Sequence, residues 1–117
     1  MSYEIAQQRI AAARRTGSVR LNLSHLKLDA LPPALFDLTQ LRVLWLGDNQ
    51  LTELPPEFGR LTQLVRLRLQ QNRRFALPDE VGALTQLQEL MLFDNELERL
   101  LDSIGQLPFI TRRLRGG

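Results

Sequence analysis

Three consecutive segments of this chain align without a gap. "LRVLWLGDNQLTELPPEFGRLTQ" (41–63), "LVRLRLQQNRRFALPDEVGALTQ" (64–86) and "LQELMLFDNELERLLDSIGQLPF" (87–109) are each 23 residues long. A fourth unit, "SVRLNLSHLKLDALPPALFDLTQ" (18–40), precedes them in the same register. A repeat of this length is the signature of a solenoid, in which each unit hides its apolar face only by stacking on its neighbours. The period therefore directs the chain to one architecture and points away from an enzyme. It says less about what the solenoid binds.

The apolar positions within the units repeat as well. Leu44, Leu46, Leu51, Leu54, Phe58 and Leu61 recur as Leu67, Leu69, Arg74, Leu77, Val81 and Leu84. In the last unit they are Leu90, Leu92, Leu97, Leu100, Ile104 and Leu107, and in the first Leu21, Leu23, Leu28, Leu31, Leu35 and Leu38. The Leu-x-Leu pair has the period of two that marks a short strand. Successive strands are predicted to lie ~4.8 Å apart in a parallel sheet. Of the 117 residues, 26 are Leu and five are Phe, a bias that fits stacked repeats better than a mixed core.

Asn49, Asn72 and Asn95 fall three residues after the second Leu of the pair. A carboxamide buried there can serve backbone groups that leave the strand without a ladder partner. The first unit has Leu26 at this place, so its coil is expected to lack that bond. Pro32–Pro33, Pro55–Pro56 and Pro78 follow the Leu that ends the turn. Proline fixes φ and removes a donor, which suits a return segment outside the sheet. "PEFGRLTQL" and "DEVGALTQL" read as a short helix or helical turn on the outer side.

The pattern LxxLxLxxNxLxxLPxxhGxLtq, with h apolar, resembles the leucine-rich repeat family in its 23-residue intracellular form, over about 18–109. The resemblance implies an α/β solenoid with a short parallel sheet on the concave face and helical turns on the convex side. The leader is similar to the start of the repeat region in bacterial Roco-type multidomain proteins, which carry a GTPase domain downstream. No GxxxxGK[ST] motif occurs here, so no GTPase function transfers.

Composition narrows the classes further. The chain contains no cysteine, which removes disulfide caps and thiolate chemistry and favours an intracellular, cytoplasmic protein. The stretch "MSYEIAQQRIAAARR" has no long apolar run, so neither a signal peptide nor a membrane span is expected there. Arginines cluster at Arg9, Arg14, Arg15 and Arg20 and again at Arg112, Arg113 and Arg115, but the net charge is only +2. Stacking aromatics are scarce, so neither nucleic acid nor membrane is expected as a partner. His25 is the only histidine. Without cysteine or a second histidine no metal site is expected, nor is any cofactor. Ser24 and His25 are adjacent on a strand and point to opposite faces, a poor start for a nucleophile–base pair. Asp48 and Asp94 share a column with Gln71 between them and do not read as an acid/base pair.

A solenoid has exposed ends that need caps. Residues 1–17 read as an N-terminal cap helix with a stripe of Tyr3, Ala6, Ile10 and Ala13, ended by Gly17. At the other end a fifth unit would begin at Ile110, but Arg113 occupies its first strand Leu position. Residues 110–117 read as a tail, and nothing obvious covers the last coil. One reading is a truncated array with the tail partly folded over the edge. The other is an open edge that packs on a second subunit. The final Arg113-Leu114-Arg115-Gly116-Gly117 resembles the end of ubiquitin. Nothing else in the chain resembles that fold, and an unstructured end is the favoured reading.

Strand residues that face away from the core form four columns: Arg20, Val43, Arg66, Glu89; Asn22, Trp45, Arg68, Met91; Ser24, Gly47, Gln70, Phe93; and His25, Asp48, Gln71, Asp94. The second and third hold the only Trp together with Met91 and Phe93. Such residues, with Arg, are enriched at interface cores. Arg68 beside Trp45 is placed for a cation–π contact. The functional reading is a protein-recognition surface of Arg20, Asn22, Trp45, Arg66, Arg68, Glu89, Met91 and Phe93, centred on Trp45, Arg66, Arg68, Met91 and Phe93. The competing reading is that Trp45 and Met91 cover each other. The sheet face amounts to a few hundred Å², against ~800 Å² per partner in a standard interface, so turns, flanks or a larger array must contribute. Arg74 interrupts an apolar column. Either Phe75 turns inward in its place, the favoured reading, or Arg73–Arg74 forms a basic knob.

These features predict a non-enzymatic module that binds a protein through its concave face and turns. The alternatives are a self-association unit that dimerises through the C-terminal coil, and the recognition part of a larger signalling GTPase or ligase.

Overall fold

The computed structural model describes residues 2–72 and 78–91. An N-terminal helix, α1 (Ser2–Thr16), is followed by four strands: β1 (Arg20–Asn22), β2 (Val43–Trp45), β3 (Arg66–Arg68) and β4 (Glu89–Met91). The strands form one parallel sheet in chain order. Between them, on the opposite side of the coil, lie three 3-10 turns at Pro33–Asp37, Pro56–Arg60 and Asp79–Ala83.

Each strand spans only three residues because the period-two stretch is short, with its first Leu buried at the centre: Leu21, Leu44, Leu67 and Leu90. The ladder continues past the strands. Leu23 N–H donates to Trp45 C=O (2.8 Å), Leu46 N–H to Arg68 C=O (2.8 Å) and Leu69 N–H to Met91 C=O (2.9 Å). Leu23, Leu46 and Leu69 are thus each bonded to the next coil and buried.

The outer segments are 3-10 rather than α-helical. Pro32, Pro55 and Pro78 stand in extended conformation just before them, and each carbonyl accepts from the residue three on. The i→i+3 pattern then repeats, from Leu38 to Leu35 and from Leu41 to Leu38. A tight helix with three residues per turn sets Leu35, Leu38 and Leu41 on one face, where all are buried.

One difference between coils has a structural consequence. Gly59 and Gly82 occupy equivalent positions in the second and third coils, and the first coil has Phe36 there. A Cβ on Gly59 would meet Glu80 Cβ at 3.1 Å and its carbonyl oxygen at 3.2 Å, so the absent side chain lets neighbouring turns close up. Phe36 instead packs edge-on against Phe58, with ring centroids 5.8 Å apart. The first two turns accordingly meet less extensively than the second and third. A cavity of about 570 Å³ lies between them, lined in part by Phe36, Pro55 and Arg60.

Helix α1 covers the front of the stack. Ala6, Ile10 and Ala13 are buried, but Tyr3, expected on the same stripe, is exposed, so the contact begins one turn later. The helix ends at Gly17, whose φ of +66° is a left-handed conformation that glycine adopts without penalty. There Ser18 N–H reaches back to Ala13 C=O (3.2 Å), satisfying a carbonyl at the helix end. Arg9 donates to the Asn22 carbonyl (2.9 Å), a partner for β1 on the edge of the sheet.

The asparagines act across coils. Asn49 Oδ1 accepts from Leu26 N–H (3.1 Å) and Leu28 N–H (3.0 Å), and its amide donates to Leu23 C=O (3.0 Å) and Leu46 C=O (2.9 Å). Asn72 likewise accepts from Leu51 N–H and donates to Leu46 and Leu69. The expectation that the first coil lacks this support is corrected. Asn49 and Asn72 each serve the turn of the preceding coil, so Asn49 supports the first. Leu26 has no earlier coil to serve and is buried as an apolar residue.

Candidate protein-interaction face

The register aligns the first two columns as the period predicts. Arg20, Val43, Arg66 and Glu89 are successive partners, and so are Asn22, Trp45, Arg68 and Met91. Within this grid Arg68 is the hub. Its guanidinium carbon lies 5.3 Å from the centroid of the Trp45 ring, and its Nε donates to Glu89 Oε1 at 3.3 Å. Trp45, Arg68, Glu89 and Met91 are all half-buried. The cation–π contact anticipated from sequence is present. Arg68 stands between Trp45 and Met91 in the register, so those two side chains sit two strands apart and not side by side.

The other expected residues divide. Arg20 and Arg66 are exposed. Glu89 is opposite Arg66 in register, yet its carboxylate turns to Arg68. Asn22 is exposed, and its Oδ1 accepts from Ser24 N–H (2.9 Å), so its side chain holds the turn after β1. Phe93, Asp94, Asn95, Arg73–Arg74, Phe75, the last coil beyond Met91 and the tail lie outside the described residues. Trp45 Nε1 and Gln70 Oε1, on adjoining columns, are enclosed and have no hydrogen-bond partner among the described residues.

The fourth column holds a pair that the sequence reading passed over. His25 Nδ1 lies 2.6 Å from Asp48 Oδ2, with both side chains well exposed. The signal was available, because 25 plus the 23-residue period is 48. His25, Asp48 and Gln71 also share a left-handed backbone, with φ of 61°, 53° and 59°. His and Asp are among the residue types enriched in that region. The column is therefore shaped first by the turn that leaves the strand. Ser24 takes no part in the pair, and no group of His, Asp and Glu among the described residues is arranged to hold a metal ion.

Short parallel strands, 3-10 returns and asparagines bridging coil to coil define a leucine-rich solenoid. The chain belongs to the leucine-rich repeat family: the family model of a leucine-rich repeat region matches residues 18–114. Among solved structures it is similar to a leucine-rich repeat protein of Leptospira interrogans, with a TM-score of 0.69 and 31% identity. That match covers 86% of this chain and 32% of the other, so this chain spans about a third of that protein's length. A search of curated proteins found no match. Repeat regions of this family are generally non-enzymatic modules for protein–protein interaction. No helix among the described residues is long and apolar enough to cross a membrane.

Proposed function

We propose that this chain recognises a protein partner through its concave face, with Trp45 and Arg68 at the centre. Arg20, Asn22, Arg66, Glu89 and Met91 surround them, and Phe93, outside the described residues, is assigned to the same face by its repeat position. The observation that carries the reading is the hub itself. A strand face open to solvent has no structural need for an indole, yet Trp45 is held there by Arg68, which Glu89 fixes in turn. Aromatic and Arg side chains pre-ordered in this way lose little entropy on binding.

Trp45 is the only Trp, so its fluorescence reports on this face alone. Affinity capture from the native host, read by mass spectrometry, is expected to retain a protein that the Trp45→Ala/Arg68→Ala variant loses. The purified partner should then shift the Trp45 emission. Retention by the double variant at wild-type strength, with the fold intact by circular dichroism, rejects this face.

A further inference from the structure

The N-terminal ends of the first three strands enclose a cleft of about 240 Å³, lined by Val19, Arg20, Arg42, Val43, Val65 and Arg66. Each coil contributes one Val and one Arg, and their order alternates: Val-Arg, Arg-Val, Val-Arg. The result is a checkerboard in which three valines stand among three guanidinium groups. Val19 is 43% exposed, a large fraction for a β-branched residue beside a strand. Elsewhere in the structure Arg9, Arg60 and Arg68 are engaged by a carbonyl or a carboxylate. Among the described residues, Arg20, Arg42 and Arg66 have no side-chain hydrogen bond or ion pair. No acidic residue among the described residues lines the cleft. The nearest acid in the register, Glu89, is turned away to Arg68.

The backbone beneath the cleft is rigidly tied. The Val19 carbonyl accepts from both Arg42 and Val43, the Arg42 carbonyl from both Val65 and Arg66, and the Val65 carbonyl from both Gln88 and Glu89. The three arginines are thus carried at fixed spacing. Arg20 and Arg66 share a column two strands apart, on the order of 10 Å. An extended peptide covers the same distance in three residues.

We propose that this cleft binds an acidic segment of a protein partner, with an aliphatic side chain on the valines and carboxylates on Arg20, Arg42 and Arg66. Guanidinium groups match carboxylates in paired, planar hydrogen bonds. The valines between them offer nothing to a sugar–phosphate backbone, and the positive column stops at Glu89. Both facts favour an acidic peptide over a nucleic acid. The inference rests on the protein-binding reading above and names the chemistry of one part of the partner.

The test is a titration of the full chain with the peptide Gly-Glu-Leu-Gly-Glu-Gly, followed by the NMR resonances of the arginine Nε–H groups and the valine methyls. Saturable shifts at Arg20, Arg42, Arg66 and Val43 are expected, weakening as salt is raised. Each Arg→Gln change should weaken binding by about 2- to 5-fold, the range for exposed ion pairs, while Arg42→Lys should retain part of it. Melting curves of the variants confirm that they remain folded. The proposal is overturned by any of three results: no shift at the cleft, equal shifts with the lysine counterpart Gly-Lys-Leu-Gly-Lys-Gly, or tighter binding of a single-stranded oligonucleotide at the same residues. The two readings fail separately. If the peptide misses the cleft while partner capture still depends on Trp45, only the cleft assignment falls. If capture is independent of Trp45 while the peptide still fills the cleft, the concave-face reading falls and this one stands.

Discussion

Removing the Asn49 carboxamide strands three backbone groups, all in the coil before it, since the Leu46 carbonyl keeps the Asn72 amide. In Asn49→Ala the Leu26 and Leu28 amides lose their acceptor, and the Leu23 carbonyl loses its donor. Asn49 is 6% exposed, so water does not readily replace it. Each buried group left unsatisfied costs about 1–3 kcal/mol, and local relaxation recovers part of the sum. Urea unfolding is expected to show a loss of about 3 kcal/mol, with amide exchange rising first at Leu26 and Leu28. Normal protection there would show that the bonds do not matter. The left-handed column gives a change of opposite sign. Gln71 has φ of +59°, a conformation that costs a side-chain-bearing residue about 1–2 kcal/mol. Gln71→Gly removes that strain but adds freedom to the unfolded chain. A net gain of about 0.5 kcal/mol is expected in thermal melts. His25 and Asp48 fit the same position by residue type, and their contact follows from adjacent coils.

The strands and returns show how much an element owes to its repeat position. The 23-residue period placed each strand, and the alternation of Leu placed its buried side, because stacking leaves only one face to bury. The returns were less legible. "PEFGRL" suits a turn of α-helix or of 3-10 helix equally, and the choice is made by the hydrogen bond each proline carbonyl accepts. The wider gap beside the first turn was not foreseen. It arises from Phe36 standing where the next coils have Gly, a substitution whose meaning appears only once two turns face each other. Gly59→Ala tests this spacing. Its methyl would press on the backbone of Glu80 at 3.2 Å, which must give by a few tenths of an ångström. A destabilisation of about 1 kcal/mol is expected, within the range for overpacked sites. The same change at an exposed Gly with open space around it would have no such contact to relieve. A neutral or stabilising result would mean that the two turns are free to separate.

At the scale of the whole molecule, the concave face was legible as columns but not as contacts. The period set Trp45 beside Arg68, yet it did not reveal that Glu89 turns to Arg68 and leaves Arg66 without a side-chain partner among the described residues. Charge alone does not decide between two arginines in neighbouring columns; the aromatic ring beside one of them does, by holding it where the carboxylate reaches. The stack as a whole depends on coupling between neighbours, since each coil is too small to bury its leucines alone. Helix α1 is the first neighbour in that series, and Ile10, 2% exposed, is its largest buried side chain. Ile10→Ala is expected to cost about 2–4 kcal/mol. The loss should not be uniform. Amide exchange should rise most in α1 and at Leu21 and Leu23 in the first coil, and less at Leu44 and Leu67. In a nearest-neighbour array a weakened end frays before the centre opens. Equal loss of protection at Leu21, Leu44 and Leu67 would show instead that the coils open together, as a single cooperative unit in which α1 is no separate cap.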